Sequence, residues 1–167
     1  IPGDLVECGV FLGGSVLAAA RFARYFGLGD RRFYLYDTFA GFPDGTAPET
    51  DSWGVVQTLY SHPRFIATAR AVIGKSPQPQ DRFVFVEGDV AQTLLATVPE
   101  TIAMLRLDTD AYESTRVELE SLYPRLSAGG VLIIDDYGTF RGARKATDEF
   151  VAKQARAPLL HRVSGGI

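Results

Sequence analysis

The sequence predicts one α/β domain with a doubly wound, mainly parallel sheet. Strand-like apolar runs alternate with helix-like segments along the 167 residues, a pattern typical of parallel strands joined by crossover helices. Residues 131–134 are nearly all aliphatic, which predicts a central strand buried on both faces. A chain of this length is large enough to bury a core of its own.

The strands and helices are predicted in strict alternation. Strands are expected at residues 5–10, 33–36, 82–86, 101–107 and 131–134, and a sixth strand at 160–163. Helices are expected at residues 15–27, 63–73, 89–98 and 141–155. A further helix is expected before Gly129-Gly130, with Leu119, Leu122 and Leu126 on one face. Ser15 suits the N-cap of the first helix. Residues 38–60 form an irregular, lid-like stretch.

Composition excludes several classes of protein. The net charge of −3 offers no basic surface for nucleic acid, and no apolar run is long enough to span a membrane. No charged and then apolar leader opens the chain, so we expect a cytoplasmic protein. Cys8, the only cysteine, lies in an apolar run, which predicts a buried core residue rather than a nucleophile. Because the chain starts at Ile1, we expect a partial chain whose terminal elements are missing.

Four carboxylates follow two of the apolar strands. Asp108 and Asp110 end the run at 105–107, and Asp135 and Asp136 end the run at 131–134. The carboxyl ends of parallel strands meet at one edge of the sheet, where four carboxylates would repel one another without a cation. A hard cation, Mg²⁺ first, fits such oxygen ligands. The alternative is that the acids cap the following helices, with Asp110 capping the helix from Ala111, but capping needs only one acid per strand end.

The first turn between strand and helix contains Glu7, Gly9 and Gly13. The spacing is not G-x-G-x-x-G, which argues against a dinucleotide pyrophosphate. A glycine-containing turn before a helix N-terminus suits a ligand with a carboxylate at one end. The alternative is a tight turn in which the glycines serve geometry alone.

Acidic residues also end the second and third strands. Asp37 is placed to accept the two hydroxyls of a ribose, or else to cap a turn. Asp89 is placed to accept a hydrogen bond from an adenine amino group, to act as an N-cap, or to do both. Three successive strand ends therefore carry ligand-binding candidates.

These strand ends resemble those of the class I S-adenosylmethionine-dependent methyltransferases. Within that superfamily, residues 5–11, 34–43 (YLYDTFAGFP), 105–112 (LRLDTDAY) and 130–137 (GVLIIDDY) are similar to the macrocin O-methyltransferase family, whose members methylate sugar hydroxyls of antibiotics. The similarity covers most of the chain. It implies a single domain over residues 1–167 with a Rossmann-like sheet, and S-adenosylmethionine and Mg²⁺ as cofactors.

The resemblance also implies roles for individual residues. Asp108, Asp135 and Asp136 match the magnesium ligands, and Asp110 matches the general base. The residues expected to bind the cofactor are Glu7, Gly9, Gly13, Ser15, Asp37, Asp89 and Asp108. The chemistry is consistent with these roles, because a metal ion acidifies a coordinated sugar hydroxyl and a nearby base takes its proton.

The predicted function is methylation of a sugar hydroxyl on a glycosylated small molecule in antibiotic biosynthesis, and the resemblance is compatible with a homodimer. The alternatives are methylation of a catechol or other small diol, a nucleotide-binding oxidoreductase, and a catalytically silent cofactor-binding module. The oxidoreductase is disfavoured by the glycine spacing, and the catechol enzyme by the lack of a lysine beside Asp108. His62 is the second candidate for the base, with a surface role as its alternative. Phe39, Phe42 and Trp53 either cover the substrate or pack a long loop.

Overall fold

The computed structural model describes residues 1–28, 30–59, 61–156 and 158–163. Its strands are β1 (Asp4–Cys8), β2 (Phe33–Asp37), β3 (Glu49–Thr50), β4 (Val56–Gln57), β5 (Phe83–Glu87), β6 (Ile102–Leu107) and β7 (Leu126–Ile134). Its α-helices are α1 (Gly14–Tyr25), α2 (Ile66–Ile73), α3 (Val90–Thr93), α4 (Tyr112–Leu122) and α5 (Arg141–Ala152). Strands and helices alternate as expected, except for the small β3–β4 hairpin inside residues 38–60.

The main sheet has five parallel strands in the order β5-β2-β1-β6-β7. The chain builds outward from β1 in one direction through β2 and β5, and then in the other direction through β6 and β7. This confirms the doubly wound class. The order reverses between β1 and β6, and ligands of such sheets bind at this reversal, beyond the carboxyl ends of the strands.

Two apolar clusters cover the two faces of the sheet. On one face, Ala20 of α1 and Ile73 of α2 are fully buried against the sheet. On the other face, Leu119 and Leu122 of α4 pack against Cys8, which is fully buried as predicted. Because helices cover both faces of the central strands, the loops at the strand ends are the accessible part of this region.

The strand β7 differs most from its prediction. It lies at the edge of the sheet, with Val131 50% and Ile133 37% exposed, so the central position was wrong. It also begins at Leu126, which was assigned to the preceding helix. That helix ends at Leu122 because Pro124 cannot continue it. Gly129-Gly130 then lie within the strand, where the register against β6 shifts, rather than after a helix.

Several element ends also differ from prediction. The N-cap of α1 is Gly13, with φ 80°, and not Ser15. Residues 160–163 form no strand, since Val163 is 94% exposed and does not pack on the sheet. The predicted N-cap Asp89 is confirmed, because its carboxylate accepts a hydrogen bond from the Ala91 amide at 2.9 Å.

Like α4, the other helices end or begin short of their predicted bounds: α1 ends at Tyr25 rather than 27, α2 begins at Ile66 rather than 63, α3 is a single turn, and α5 ends at Ala152. Within the part of the chain that the structure describes, no helix has the length and apolar character needed to cross a membrane.

Candidate active site

The loops after β1 and β6 run side by side at the reversal of strand order. The Asp108 amide donates to the Cys8 carbonyl at 2.9 Å. Gly9 has φ 83°, and a Cβ there would lie 1.8 Å from the Asp108 carbonyl oxygen. Only glycine fits this position. The close approach of the two loops therefore requires Gly9, independently of its expected role in cofactor binding.

The carboxylate of Asp37 organises the backbone around the same opening. One oxygen accepts from the Phe39 amide at 2.6 Å and the other from the Phe11 amide at 2.7 Å. Phe11 has φ 49°, a backbone conformation that residues other than glycine rarely adopt. The turn role considered for Asp37 is therefore present, and each oxygen keeps a lone pair for a further donor.

A cavity of about 970 Å³ opens at these strand ends. Five of the predicted site residues are among those lining it: Gly9, Asp37, Asp89, Asp108 and Asp110. The other predicted residues, which are Glu7, Gly13, Ser15, Asp135 and Asp136, are not among the described residues of the lining. Its size suits a drug-sized ligand.

Glu7, which is buried, and Ser15, which is exposed, are joined by a hydrogen bond across the first turn. The Ser15 hydroxyl donates a hydrogen bond to the Glu7 carboxylate, whose residue is only 5% exposed. Burial raises the pKa of Glu7, while the Ser15 hydroxyl and the Arg106 guanidinium act to lower it. Gly13 is also constrained, since a Cβ there would lie 2.7 Å from the Ile73 side chain. These contacts fix the shape of the turn between β1 and α1.

The carboxylates of Asp108, Asp135 and Asp136 come together at the ends of β6 and β7. Each offers an oxygen within 4.8 Å of the other two. Asp136 is buried, Asp108 is half-buried and Asp135 is exposed. Three hard oxygen ligands, one of them on the exposed Asp135, are a donor set that Mg²⁺ accepts. The residues present therefore fit the metal that the sequence suggested.

Asp110 lies beside this cluster in a strained conformation. Its φ is 61°, and its amide donates to the Asp136 carboxylate at 3.0 Å. It does not cap the next helix as considered, because the N-cap of α4 is Ala111. Burial raises the pKa of Asp110, and the carboxylates of Asp108 and Asp135 raise it further. A carboxylate with a raised pKa is a better proton acceptor near neutral pH.

Arg106 is a site residue that the sequence interpretation missed. Its guanidinium contacts three carboxylates: Asp108 at 2.7 Å, Glu7 at 2.9 Å and Asp135 at 3.1 Å. The pKa of Arg106 is raised, because the attraction of these carboxylates outweighs the effect of burial. An arginine in the middle of an apolar strand, Leu105-Arg106-Leu107, was the available signal.

Glu49 is a second missed residue, and it lines the cavity. It is buried, and its carboxylate accepts a hydrogen bond from the Tyr112 amide at the start of α4 at 2.8 Å. A Cβ on Gly142 of α5 would lie 2.1 Å from the same carboxylate. Glu49 thus ties residues 38–60 to both helices beside the acidic cluster, a contact that no local sequence pattern indicates.

Glu118 is the third missed residue, fully buried on α4. One of its oxygens accepts from the Thr109 hydroxyl at 3.1 Å, and the other has no partner among the described residues. Burial raises the pKa of Glu118 to about 8. Its position was readable, since Thr115, Glu118, Leu119 and Leu122 share one helical face.

The remaining candidates from the sequence lie in three different environments. His62 and Phe42 line the cavity. Phe39 is fully buried in the core, so it packs the loop rather than covering a substrate. Trp53 is 64% exposed. Among these aromatic candidates, Phe42 remains in position to contact a ligand.

Fold and site together define a class of protein. A doubly wound sheet with an open cavity at its reversal, and acidic residues at the ends of the first strands, is typical of α/β proteins that bind nucleotide-like ligands. The comparison with protein families narrows this class. The model described as Macrocin-O-methyltransferase (TylF) matches residues 1–164, and the chain belongs to this family.

Curated relatives agree with the family. The chain is 33% identical over 159 residues to demethyldecarbamoylnovobiocin O-methyltransferase of Streptomyces niveus, covering 92% of this chain and 60% of that protein. It is 39% identical over 143 residues to 8-demethyl-8-(2,3-dimethoxy-alpha-L-rhamnosyl)-tetracenomycin-C 4'-O-methyltransferase of Streptomyces olivaceus, covering 82% and 54%. It is 31% identical over 156 residues to mycinamicin III 3''-O-methyltransferase of Micromonospora griseorubida, covering 90% and 61%.

Solved structures show the same fold. The O-methyltransferase NovP superposes with a TM-score of 0.76 at 32% identity, covering 92% of this chain and 64% of that chain. The calicheamicin methyltransferase CalS11 superposes with a TM-score of 0.69 at 26% identity, covering 90% and 65%. The chain therefore spans less than two thirds of the length of these relatives.

Proposed function

We propose that this protein is an S-adenosylmethionine- and Mg²⁺-dependent O-methyltransferase acting on a sugar hydroxyl of a glycosylated small molecule. One observation carries the proposal: the clustered carboxylates of Asp108, Asp135 and Asp136 lie next to Asp110, which lines the cavity. Membership of the macrocin O-methyltransferase family supports it. Relatives named for methylation of glycosylated antibiotics support the substrate class.

The cofactor is proposed to occupy the cavity along the ends of β1, β2 and β5. Asp37 would accept ribose hydroxyls, and Asp89 would accept the adenine amino group while it caps α3. Glu7, Gly9, Gly13, Ser15 and Asp108 complete the proposed set. In this arrangement Gly9 keeps the first turn close to Asp108, and the hydrogen bond from Ser15 to the buried Glu7 joins the two ends of the turn.

Asp108, Asp135 and Asp136 would hold Mg²⁺. When bound, S-adenosylmethionine supplies an activated methyl group and Mg²⁺ acidifies and orients the acceptor hydroxyl. Three carboxylates more than offset the charge of a divalent cation and leave room in its coordination shell for substrate oxygens. The proposed donor set therefore suits a hard divalent cation.

Asp110 would take the proton from the acceptor hydroxyl. Its left-handed conformation turns the chain off β6 and sets the residue at the cavity wall. Burial and the neighbouring carboxylates raise the pKa of Asp110, which favours proton uptake at its carboxylate oxygen. The hydrogen bond from its amide to Asp136 links the proposed base to the proposed metal ligands.

Calorimetric titration with S-adenosylmethionine, followed by methyl-transfer assays, tests the proposal. The acceptors would be demethyldecarbamoylnovobiocin and mycinamicin III, with a catechol as comparison, each in Mg²⁺ or in excess chelator. We expect cofactor binding and chelator-sensitive transfer to a glycosylated acceptor. Methyl transfer at the same rate with and without chelator would show that the reaction does not need the metal. Faster transfer to the catechol than to the glycosylated acceptors would change the proposed substrate class. Cofactor binding without transfer to any of these acceptors would favour the catalytically silent cofactor-binding module.

The cytoplasmic location and the homodimer remain predictions. Size-exclusion chromatography with light scattering tests the homodimer, and cell fractionation tests the location.

A further inference from the structure

We propose that Arg106 is an internal cation of the acidic cluster, and that a divalent cation must compete with it for Asp108 and Asp135. This inference rests on the proposed metal site. In this proposal, Arg106 lowers the affinity of the site for the metal ion.

The guanidinium of Arg106 reaches carboxylates from three segments. One terminal nitrogen lies 2.9 Å from Glu7 and 2.7 Å from Asp108, and the other lies 3.1 Å from Asp135. Arg106 and Glu7 are paired residues of the neighbouring strands β6 and β1. The arginine is therefore placed by the sheet itself.

Two of these three carboxylates belong to the proposed metal set. Asp108 and Asp135 each have an oxygen within 4.8 Å of Asp136 and of each other. A divalent ion on this set would lie a few ångströms from the guanidinium, and two cations at that distance repel each other. The side chain of Arg106 is only 18% exposed, so water screens this repulsion incompletely.

Arg106 also stabilises the cluster. The Glu7 side chain is 6% exposed, and loss of the guanidinium would leave it buried with its carboxylate paired only to Ser15. A buried carboxylate that loses its charged partner destabilises the fold. Binding of a cation nearby would then recover part of the lost stability, because a ligand that binds only the folded state stabilises it.

Mn²⁺ titration followed by electron paramagnetic resonance measures this competition directly, without any assay of activity. The variants are Arg106→Gln, which removes the charge, and Arg106→Lys, which keeps the charge but cannot span two carboxylates. Arg64→Gln is the matched control. Arg64 pairs with Glu87 at the end of β5 and is exposed, so its loss removes one positive charge from the same edge of the sheet without touching the cluster.

We expect Arg106→Gln to bind Mn²⁺ about tenfold more tightly than the wild type, and Arg106→Lys to fall between them. Arg64→Gln should stay within about twofold. In chelator, thermal unfolding of Arg106→Gln should occur at lower temperature, and saturating Mn²⁺ should raise its Tm more than it raises that of the wild type.

Mn²⁺ affinity that is unchanged or weaker in both Arg106 variants overturns the inference, because Arg106 would then support the metal ligands rather than compete for them. If Arg106→Gln does not fold, the Mn²⁺ affinity of Arg106→Lys is compared with that of the wild type instead. If the wild type binds Mn²⁺, the proposed metal site stands whatever the affinities of the variants. A wild type that binds no Mn²⁺ overturns both the site and the inference.

Discussion

Gly9 and Asp108 are in such close contact at the reversal of strand order that no side chain fits between them. A Cβ on Gly9 would lie 1.8 Å from the Asp108 carbonyl oxygen and 2.5 Å from its carbonyl carbon. The Asp108 backbone directly follows β6 and is held by the hydrogen bond from its amide to the Cys8 carbonyl, so it cannot move aside as a flexible side chain can. The close approach sets the spacing between the first turn and the acidic cluster.

Gly9→Ala should therefore destabilise the fold strongly, by at least about 2 kcal/mol, through the clash and the left-handed backbone. Gly14→Ala is the matched control, since Gly14 lies in the first turn of α1 and a Cβ there meets nothing within 4 Å. Urea unfolding of both variants measures the difference. Equal midpoints for Gly9→Ala and the wild type would show that the strands can separate.

The sequence allowed the architecture and the acidic cluster to be predicted for a simple geometric reason. Parallel strands place their carboxyl ends at one edge, so acids that follow Leu107 and Ile134 were expected at the same edge. Asp108, Asp135 and Asp136 are neighbours because β6 and β7 are also paired in the sheet.

What could not be predicted depends on contacts between distant segments. The carboxylate of Glu49 reaches the Tyr112 amide across 63 positions, and that of Glu7 reaches Arg106 across 99. The aliphatic pattern of residues 131–134 does not distinguish a central strand from an edge strand, because position in the sheet depends on which strands follow. Local patterns set elements and strand ends, but not their long-range partners.

The two roles of Asp89 can be separated by one substitution. Serine caps a helix about as well as aspartate but does not reach as far into the cavity. Asp89→Ser should keep the free energy of unfolding within about 0.5 kcal/mol and weaken binding of S-adenosylmethionine about tenfold. Asp89→Ala, as control, should lose both cofactor affinity and about 1 kcal/mol of stability. Wild-type affinity in the serine variant would leave Asp89 as a cap alone.

Asp110→Asn tests the proposed base without disturbing the turn. Asparagine tolerates the left-handed conformation found at Asp110, so the fold should be retained. The affinities for S-adenosylmethionine and Mn²⁺ should stay within a few-fold, while turnover falls about 10²- to 10⁴-fold. Single-turnover kinetics at saturating cofactor gives the rate of the chemical step.

Survival of turnover in Asp110→Asn would assign the proton transfer to another residue. His62, which also lines the cavity, would then be tested first with His62→Gln. In the proposal as it stands, His62→Gln should leave the chemical step within a few-fold of the wild type, which makes it the control for Asp110→Asn.

Glu118 should make stability depend on pH. Burial raises the pKa of Glu118 to about 8, and the carboxylates of Asp136, Asp108 and Asp89 add to the effect. The folded protein therefore holds a proton that the unfolded chain releases above its ordinary pKa of 4.5. Because the folded pKa is the higher one, this contribution to stability is complete below pH 4.5 and is lost as pH rises to about 8.

Glu118→Gln keeps a neutral side chain at every pH and can still hydrogen-bond to Thr109. Between pH 5.5 and 8, the free energy of unfolding should fall by up to about 3 kcal/mol more in the wild type than in Glu118→Gln, as measured with urea at both pH values. Glu113→Gln is the control, because Glu113 lies exposed on the same helix and pairs with Arg116. The other acidic residues are unchanged in both proteins. Equal pH dependence in the wild type and Glu118→Gln would therefore mean that Glu118 is ionised in the fold, and that the Thr109 hydroxyl suffices to hold a buried charge on α4.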